Sequence, residues 1–377
     1  MPGTEGLGLS TLSFIDPHLQ GGWCHRRVPA RGGRPHDSAP RELSVDVAGA
    51  GRSYSFAEWV AETASTSLLV MVDDRVVHEW YADGLGEDTL FLGASMTKSL
   101  LAHLVGRAVG GGALDLHDQV TTHVPELAGS GYDGTTVVDV LTMTSGVDWL
   151  EDYRDPDSLA SQLLGCFAAG THSRALLRRV APGTASGRRF TYCTADSQVL
   201  DWVRERATGH SYADDAALLW HDLGCTRDAV VAVDGEGVAL AGGGVAATTR
   251  DWARVARLAV TGTDERGVPL LDAEWVDAAA RPAHPFTAVG RLPSSITTHA
   301  GFGYHWWPMD DAGRRVTADG SRGQFAAADR RTGAVVVKTS LWPYDDAWAD
   351  RQHRDLSYLG LHNLLNLAGP GPTDSRW

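Results

Sequence analysis

The chain has 377 residues, enough for one large core or two smaller ones, and its 43% hydrophobic and 21% charged content excludes wholesale disorder and a fibrous chain. Lys and Arg total 33 against 47 Asp and Glu, and the net charge of −14 repels phosphate backbones, which argues against nucleic-acid binding. No apolar run is long enough to span a bilayer, so no membrane association is expected.

Residues 1–45 are rich in Gly, Pro and Arg (Arg31-Gly32-Gly33-Arg34-Pro35) and read as an irregular lead-in. The opening MPGTEGLGLSTLSF has neither a basic start nor a long apolar stretch, so it does not read as a secretory signal. Cys24, Cys166, Cys193 and Cys225 form no C-x-x-C pair; free thiols and a cytoplasmic location are expected. A short helix is expected from Phe56 to about Thr66. Leu68–Val72 and Val76–Tyr81 then read as two strands around a tight turn at Asp73-Asp74. After Ser95 the apolar residues Met96, Leu100, Leu101, Leu104, Val105 and Ala108 fall on one helical stripe, stopped by Gly110-Gly111-Gly112.

Residues 115 to about 290 mix helical signals with long Gly/Pro/Asp loops, and Asp196–Thr208 and Thr249–Val260 are the clearer helices. Strand signals return at Phe302–Met309, Gly323–Ala328 and Ala334–Leu341, and Asp346 to about Leu367 reads as a final amphipathic helix. Strands at both ends around a helical middle imply an α/β lobe built from residues 46–114 and 290–377. A mainly helical lobe, residues 115–289, would be inserted into it.

Of the 33 basic residues only Lys98 and Lys338 are lysines, leaving 31 arginines. Arginine does not give up its proton in a protein, whereas a buried lysine can. A lysine kept against that background is a candidate for proton transfer. In Ser95-Met96-Thr97-Lys98 the serine and lysine are three apart on a helix, so Oγ and Nζ can share a hydrogen bond, with the positive end of the helix beside the hydroxyl. A desolvated Lys98 would have a lowered pKa and could take the serine proton. Lys338-Thr339-Ser340 follows three valines and reads instead as structural strand. The 15 histidines form no H-E-x-x-H or H-x-H pattern and no phosphate loop is present, so neither a metal nor an organic cofactor is implied.

An S-x-x-K motif between a strand pair and a buried helix resembles the serine β-lactamase and penicillin-binding protein superfamily. Val137–Gly146, ending Leu141-Thr142-Met143-Thr144-Ser145-Gly146, is similar to the L-L-T-H-T-S-G segment of its class C branch, with Met143 in place of histidine. Pro182-Gly183 followed by Phe190-Thr191-Tyr192-Cys193-Thr194 resembles the segment carrying the Y-x-N motif. The resemblance makes Tyr192 the second proton-transfer group, its phenol lowered by the Lys98 charge, and puts Thr194 where Asn is usual. Ala318-Asp319-Gly320-Ser321-Arg322-Gly323-Gln324 resembles the third motif: Gly320 would admit substrate, and the N–H groups of Ser95 and Ser321 would hold the oxyanion. The usual Lys or His is replaced there by Ala318 and Asp319, which weakens any case for β-lactam carboxylate recognition.

Within the superfamily the chain is most similar to the nylon-oligomer (6-aminohexanoate-dimer) hydrolases. Val124–Gly134, Glu151-Asp152-Tyr153, Phe190…Cys193 and Trp306-Trp307 carry that likeness, from about Trp23 to the last helix. It implies that Tyr153 contacts the departing amide nitrogen and that Trp306 or Trp307 walls the pocket. The acid for a substrate amine has no counterpart in Ser158–Phe167, and Gly242 stands where a polar residue can occur.

The fold class expected is α+β, β-lactamase/transpeptidase-like, with an antiparallel sheet flanked by helices and an inserted mainly helical lobe. The reading is an enzyme cleaving a small-molecule, non-peptide amide or ester through an acyl group on Ser95, with Lys98 and Tyr192 moving the proton. Tyr153, Thr194, Gly242, Trp306, Trp307, Asp319 and Gly320 would bind substrate. Two alternatives stay open: an acyltransferase or amide synthase passing the acyl group to an amine or alcohol, and a non-catalytic binding protein. Whether two copies pair as a homodimer is left open.

Overall fold

The computed structural model describes residues 23–30, 33, 37–38, 53–342 and 351–367. The rest of the expected lead-in and the first residues of the expected last helix lie outside the described residues. Two sheets organise the described residues. Strands β1 (Cys24–Val28), β2 (Asp37–Ser38), β3 (Ser65–Val72), β4 (Arg75–Tyr81) and β5 (Phe91–Leu92) precede the long middle stretch, which holds β6 (Ala229–Val233) and β7 (Val245–Ala247). Strands β8 (Trp307–Pro308), β9 (Arg315–Gly320), β10 (Gln324–Asp329) and β11 (Ala334–Ser340) follow. The large sheet runs β2-β4-β3-β11-β10-β9-β8 and the small one β1-β6-β7-β5, so strands from both ends of the chain meet in the large sheet. All its pairings are antiparallel except β2 on β4. This is the expected α+β, β-lactamase/transpeptidase-like class.

Local chemistry explains the hairpin β3–β4. Asp73 and Asp74 take left-handed φ values of 48° and 61°, the geometry of a primed turn, which short polar side chains tolerate. β3 is buried along its whole length because helices cover both faces of the sheet. Helices α1 (Phe56–Glu62) and α2 (Met96–Gly110) lie on opposite faces. The middle of the chain adds α3 (Val120–His123), α4 (Val137–Leu141), α5 (Leu159–Ala169), α6 (Ser173–Leu177), α7 (Thr194–Thr208), α8 (Tyr212–Asp222), α9 (Thr249–Thr261) and α10 (Ala273–Ala279), and α11 (Arg351–Leu367) is the last of the described helices. Leu69, Met71, Val335 and Val337 point to the α2/α9 side; Leu68, Val70, Val336 and Phe325 point to the α1/α11 side. Each such side chain contributes about 1.5–3 kcal/mol through apolar burial. Among the described residues no helix is long and apolar enough to cross a membrane.

Three differences from the sequence reading have physical causes. Phe302–Met309 is strand only at Trp307-Pro308, because His305 takes a left-handed φ of 55° and the Gly303 N–H bonds back to Trp306 O at 2.9 Å. The strand β9 escapes a hydrophobic pattern search because its interior carries Asp319, whose charge is met from α11. The expected helix to about Thr66 stops at Glu62, where β3 begins three residues later at Ser65.

Candidate active site

Ser95 is delivered by the small sheet. β5 pairs with β7, the Gly93 N–H donates to Val245 O at 2.9 Å, and the chain then turns into α2. Ala94 makes that turn with a left-handed φ of 45°, a conformation that costs a non-glycine residue roughly 1–2 kcal/mol. Ser95 sits at the N-cap of α2, yet its hydroxyl caps nothing and is left available. One turn on, Lys98 is 2% exposed. Its Nζ donates to Ser95 Oγ at 3.0 Å, to Thr194 Oγ1 at 3.1 Å and to Gly242 O at 2.6 Å, using all three ammonium donors. Burial lowers the amine to about 8, against an opposing pull from Glu151 and Cys193.

Tyr192 enters from the loop before α7. Its ring centroid lies 5.1 Å from Lys98 Nζ, and its hydroxyl faces the Ser95 hydroxyl. The expectation that Lys98 lowers the phenol is corrected here. Burial pushes Tyr192 well above its ordinary value, the Ser95 hydroxyl opposes this only in part, and Glu151 and Asp319 add to the rise. Lys98 is therefore the group whose neutral form is accessible, and Tyr192 stays a phenol.

Helix α7 organises the back of the site. Thr194 begins the helix, and its N–H donates to Glu151 Oε1. Its hydroxyl meets Lys98 on one side and the Tyr153 hydroxyl, at 3.3 Å, on the other. Tyr153 is held well above its ordinary value by burial and by the nearby Glu151 carboxylate. One turn along, Gln198 accepts the Gly242 N–H at 3.0 Å and donates to Ala239 O at 3.0 Å, pinning the loop whose carbonyl holds Lys98. A Cβ at Gly242 would stand 2.8 Å from the Thr194 methyl and 3.5 Å from Lys98 Nζ, so this glycine makes room for the threonine and faces the lysine with backbone alone. Asp196 is buried below, accepts from Tyr132 (3.0 Å) and Ser145 (2.8 Å), and is raised to about 7 by burial.

The far wall comes from the large sheet. A Cβ on Gly320 would lie 2.2 Å from Gly93 O and 3.2 Å from Met96 N, so only glycine lets β9 end against the turn that carries Ser95. Ser321 follows, half-buried. Asp319 points the other way, toward α11, where Arg354 donates to it at 2.7 Å and Tyr358 at 2.9 Å. Trp307 stacks on Tyr192 with centroids 5.8 Å apart. Trp306 is fully buried and packs on His103 of α2 at 5.3 Å, in the core. The structure thus gathers Ser95, Lys98, Tyr192, Tyr153, Thr194, Gly242, Gly320 and Trp307 around one centre, and sets Trp306 and Asp319 behind it. A cavity of about 1040 Å³ lined by Arg26, Tyr212 and Leu218 lies elsewhere, between β1 and α8.

Sequence reading overlooked Glu151, Gln198, Asp196 and His305. His305 is fully buried, donates from Nδ1 to Leu141 O (2.7 Å), accepts from Ser197 at Nε2 (2.9 Å), and is pushed down to about 3 by burial and the Lys98 charge. Glu151 was in view as a neighbour of Tyr153, but nothing in the spacing says that it binds the start of a helix 43 residues later.

Comparison with known proteins bears on the family and the fold. A family profile described as Beta-lactamase matches residues 56–358. The chain belongs to the β-lactamase family. Within it, the chain is 33% identical over 301 residues to a 6-aminohexanoate-dimer hydrolase of Paenarthrobacter ureafaciens, covering 76% of this chain and 74% of that protein. A solved candidate 6-aminohexanoate-dimer hydrolase from Bacillus anthracis superposes with a TM-score of 0.80 at 19% identity over 98% of each chain. The fold is also that of EstCE1, a hydrolase with promiscuous acyltransferase activity (TM-score 0.60, 17% identity, 80% of this chain and 98% of that one). The protein is therefore an enzyme of the serine hydrolase superfamily with the β-lactamase fold, related to an amidohydrolase.

Proposed function

We propose that the protein hydrolyses a non-peptide amide or ester of a small molecule, with the acyl group carried on Ser95 between two half-reactions. The observation that carries this reading is the buried Lys98 amine, bonded at once to Ser95 Oγ, Thr194 Oγ1 and Gly242 O. Neutral Lys98 takes the Ser95 proton as Oγ attacks the carbonyl carbon. Tyr192, which faces the same hydroxyl, orients it. The carbonyl π pair moves onto oxygen, which the N–H groups of Ser95 and Ser321 receive beside Gly320. Collapse breaks the C–N or C–O bond, and the leaving atom takes a proton on the side where Tyr153 stands. Water then attacks the acyl group, Lys98 accepts its proton, and Ser95 leaves reprotonated.

The relationship to a 6-aminohexanoate-dimer hydrolase supports linear amides as the first substrates to try. Ser95→Ala should lower turnover of both a p-nitrophenyl ester and the linear 6-aminohexanoate dimer by more than about 10³-fold, and wild type should show an acyl adduct by intact mass. Undiminished turnover in the variant would sink the assignment, and no adduct with any activated ester would favour a binding protein. Adding a primary amine and weighing the products separates hydrolysis from acyl transfer: an N-acylated amine would make the protein an acyltransferase.

A further inference from the structure

Thr194 stands where the resemblance leads one to expect an amide side chain, and the difference is chemical as well as steric. An amide presents donors at one end and an acceptor at the other, and passing a proton along it would require an imidic-acid tautomer. A hydroxyl accepts and donates at one atom. In this chain that atom lies between two groups of the site: Lys98 Nζ at 3.1 Å and the Tyr153 hydroxyl at 3.3 Å. Charged Lys98 has no lone pair and can only donate, so the Thr194 oxygen is its acceptor and the threonine proton is free to turn toward Tyr153. Glu151 stands beside both members, accepting the Thr194 N–H and facing the Tyr153 hydroxyl. Gly242 leaves the space the threonine methyl needs.

We propose that the Thr194 hydroxyl is the relay that carries the Ser95 proton from Lys98 to Tyr153 and so to the departing nitrogen. This rests on the acyl-Ser95 reading above. Lys98 holds the proton after attack. On collapse the C–N bond breaks and its electron pair stays on nitrogen. Nitrogen takes the Tyr153 proton, Tyr153 takes that of Thr194, and Thr194 takes one from the Lys98 ammonium. Lys98 ends neutral, Thr194 and Tyr153 end as they began, and the net transfer is one proton from Ser95 to the amine. At 3.3 Å the Thr194–Tyr153 contact is long for two hydroxyls, and such contacts commonly shorten once substrate is bound. Thr194 touches no substrate atom on this path; it is a positioning and relay residue.

The relay makes a prediction that a packing role does not. A p-nitrophenolate leaves without a proton, whereas an amine must receive one. Thr194→Val keeps the side-chain shape and removes the hydroxyl. It should lower kcat/KM for a linear amide by about 10²-fold or more, and for the p-nitrophenyl ester of the same acid by less than about 10-fold. Tyr153→Phe should show the same split, and the double variant should lose little beyond either single one. Thr194→Ser should recover most of the amide rate. Equal losses on ester and amide, an unaffected amide rate, or additive losses in the double variant would each overturn the relay. If the valine variant does not fold, Thr194→Ala gives the same readout. Failure of the acyl-Ser95 reading is separate, because it shows in Ser95→Ala, whatever happens at position 194.

Discussion

Lys98 is held by three acceptors and by its surroundings. Glu151 from the loop before Tyr153 and Cys193 at the start of α7 favour its charge, His305 ahead of β8 is neutral, and burial outweighs the favourable pair to leave the amine at about 8 rather than its ordinary 10.5. Below that pH the ammonium dominates and has no lone pair for the serine proton; above it the free amine does. The rate constant kcat/KM should therefore rise with pH along a limb centred near 8. Stopped assays from about pH 6 to about pH 10 would check this, and a flat profile would contradict the assignment of Lys98 as base. Lys98→Arg keeps the charge and cannot shed the proton, so it should cost at least about 10²-fold in kcat/KM while leaving the circular dichroism spectrum unchanged. The same residue was readable in the sequence, because a lysine kept among 31 arginines invites a chemical explanation. The state of Tyr192 was not readable. Proximity to a cation suggested a lowered phenol, and only the folded environment shows that burial prevails.

At the scale of elements, β9 and α11 are joined by a charge that neither could carry alone. Asp319 and Arg354 are each 3% exposed, and Tyr358 completes the carboxylate's partners from the same helix. Breaking such a pair strands a charge in a dry environment. Arg354→Met should therefore destabilise the fold by about 3–5 kcal/mol, read as a lowered midpoint in urea, and Arg354→Met with Asp319→Asn should restore much of the loss. An unchanged midpoint in the single variant would show that the pair contributes nothing. Because Asp319 immediately precedes Gly320, α11 also sets where β9 ends against the serine turn. This contact explains why β9 was illegible. Its sequence places a carboxylate in mid-strand, and the residue that neutralises it comes 35 positions later. The α2 stripe and the β3–β4 hairpin were legible because their signals, helical periodicity and an Asp-Asp turn, are local.

Over the whole molecule, the candidate site lies where the two sheets touch. The small sheet brings the serine through β5 and runs from β7 back to the Gly242 carbonyl; the large sheet brings Gly320; the helices between them bring Tyr153, Tyr192 and Thr194. Strands of two or three residues such as β5 and β7 have no periodicity to detect, so the small sheet was invisible in the sequence although the motifs it positions were not. Fold class and most residues of the candidate site could be read because they rest on motifs and on long amphipathic runs. How those residues face one another depended on contacts spanning more than two hundred residues.

The scarcity of lysine has an outcome at the protein's surface. One of its two lysines is locked into the candidate site, and the other, Lys338, is fully buried on β11 between Trp59 and Trp342 with Ser340 as its hydrogen-bond partner. The native exterior therefore offers no ε-amine to acetylation, to sugar-derived glycation or to succinimidyl and aldehyde reagents. Lysine-directed tagging, crosslinking or immobilisation should leave the folded molecule untouched at both positions and mark them only once it has come apart.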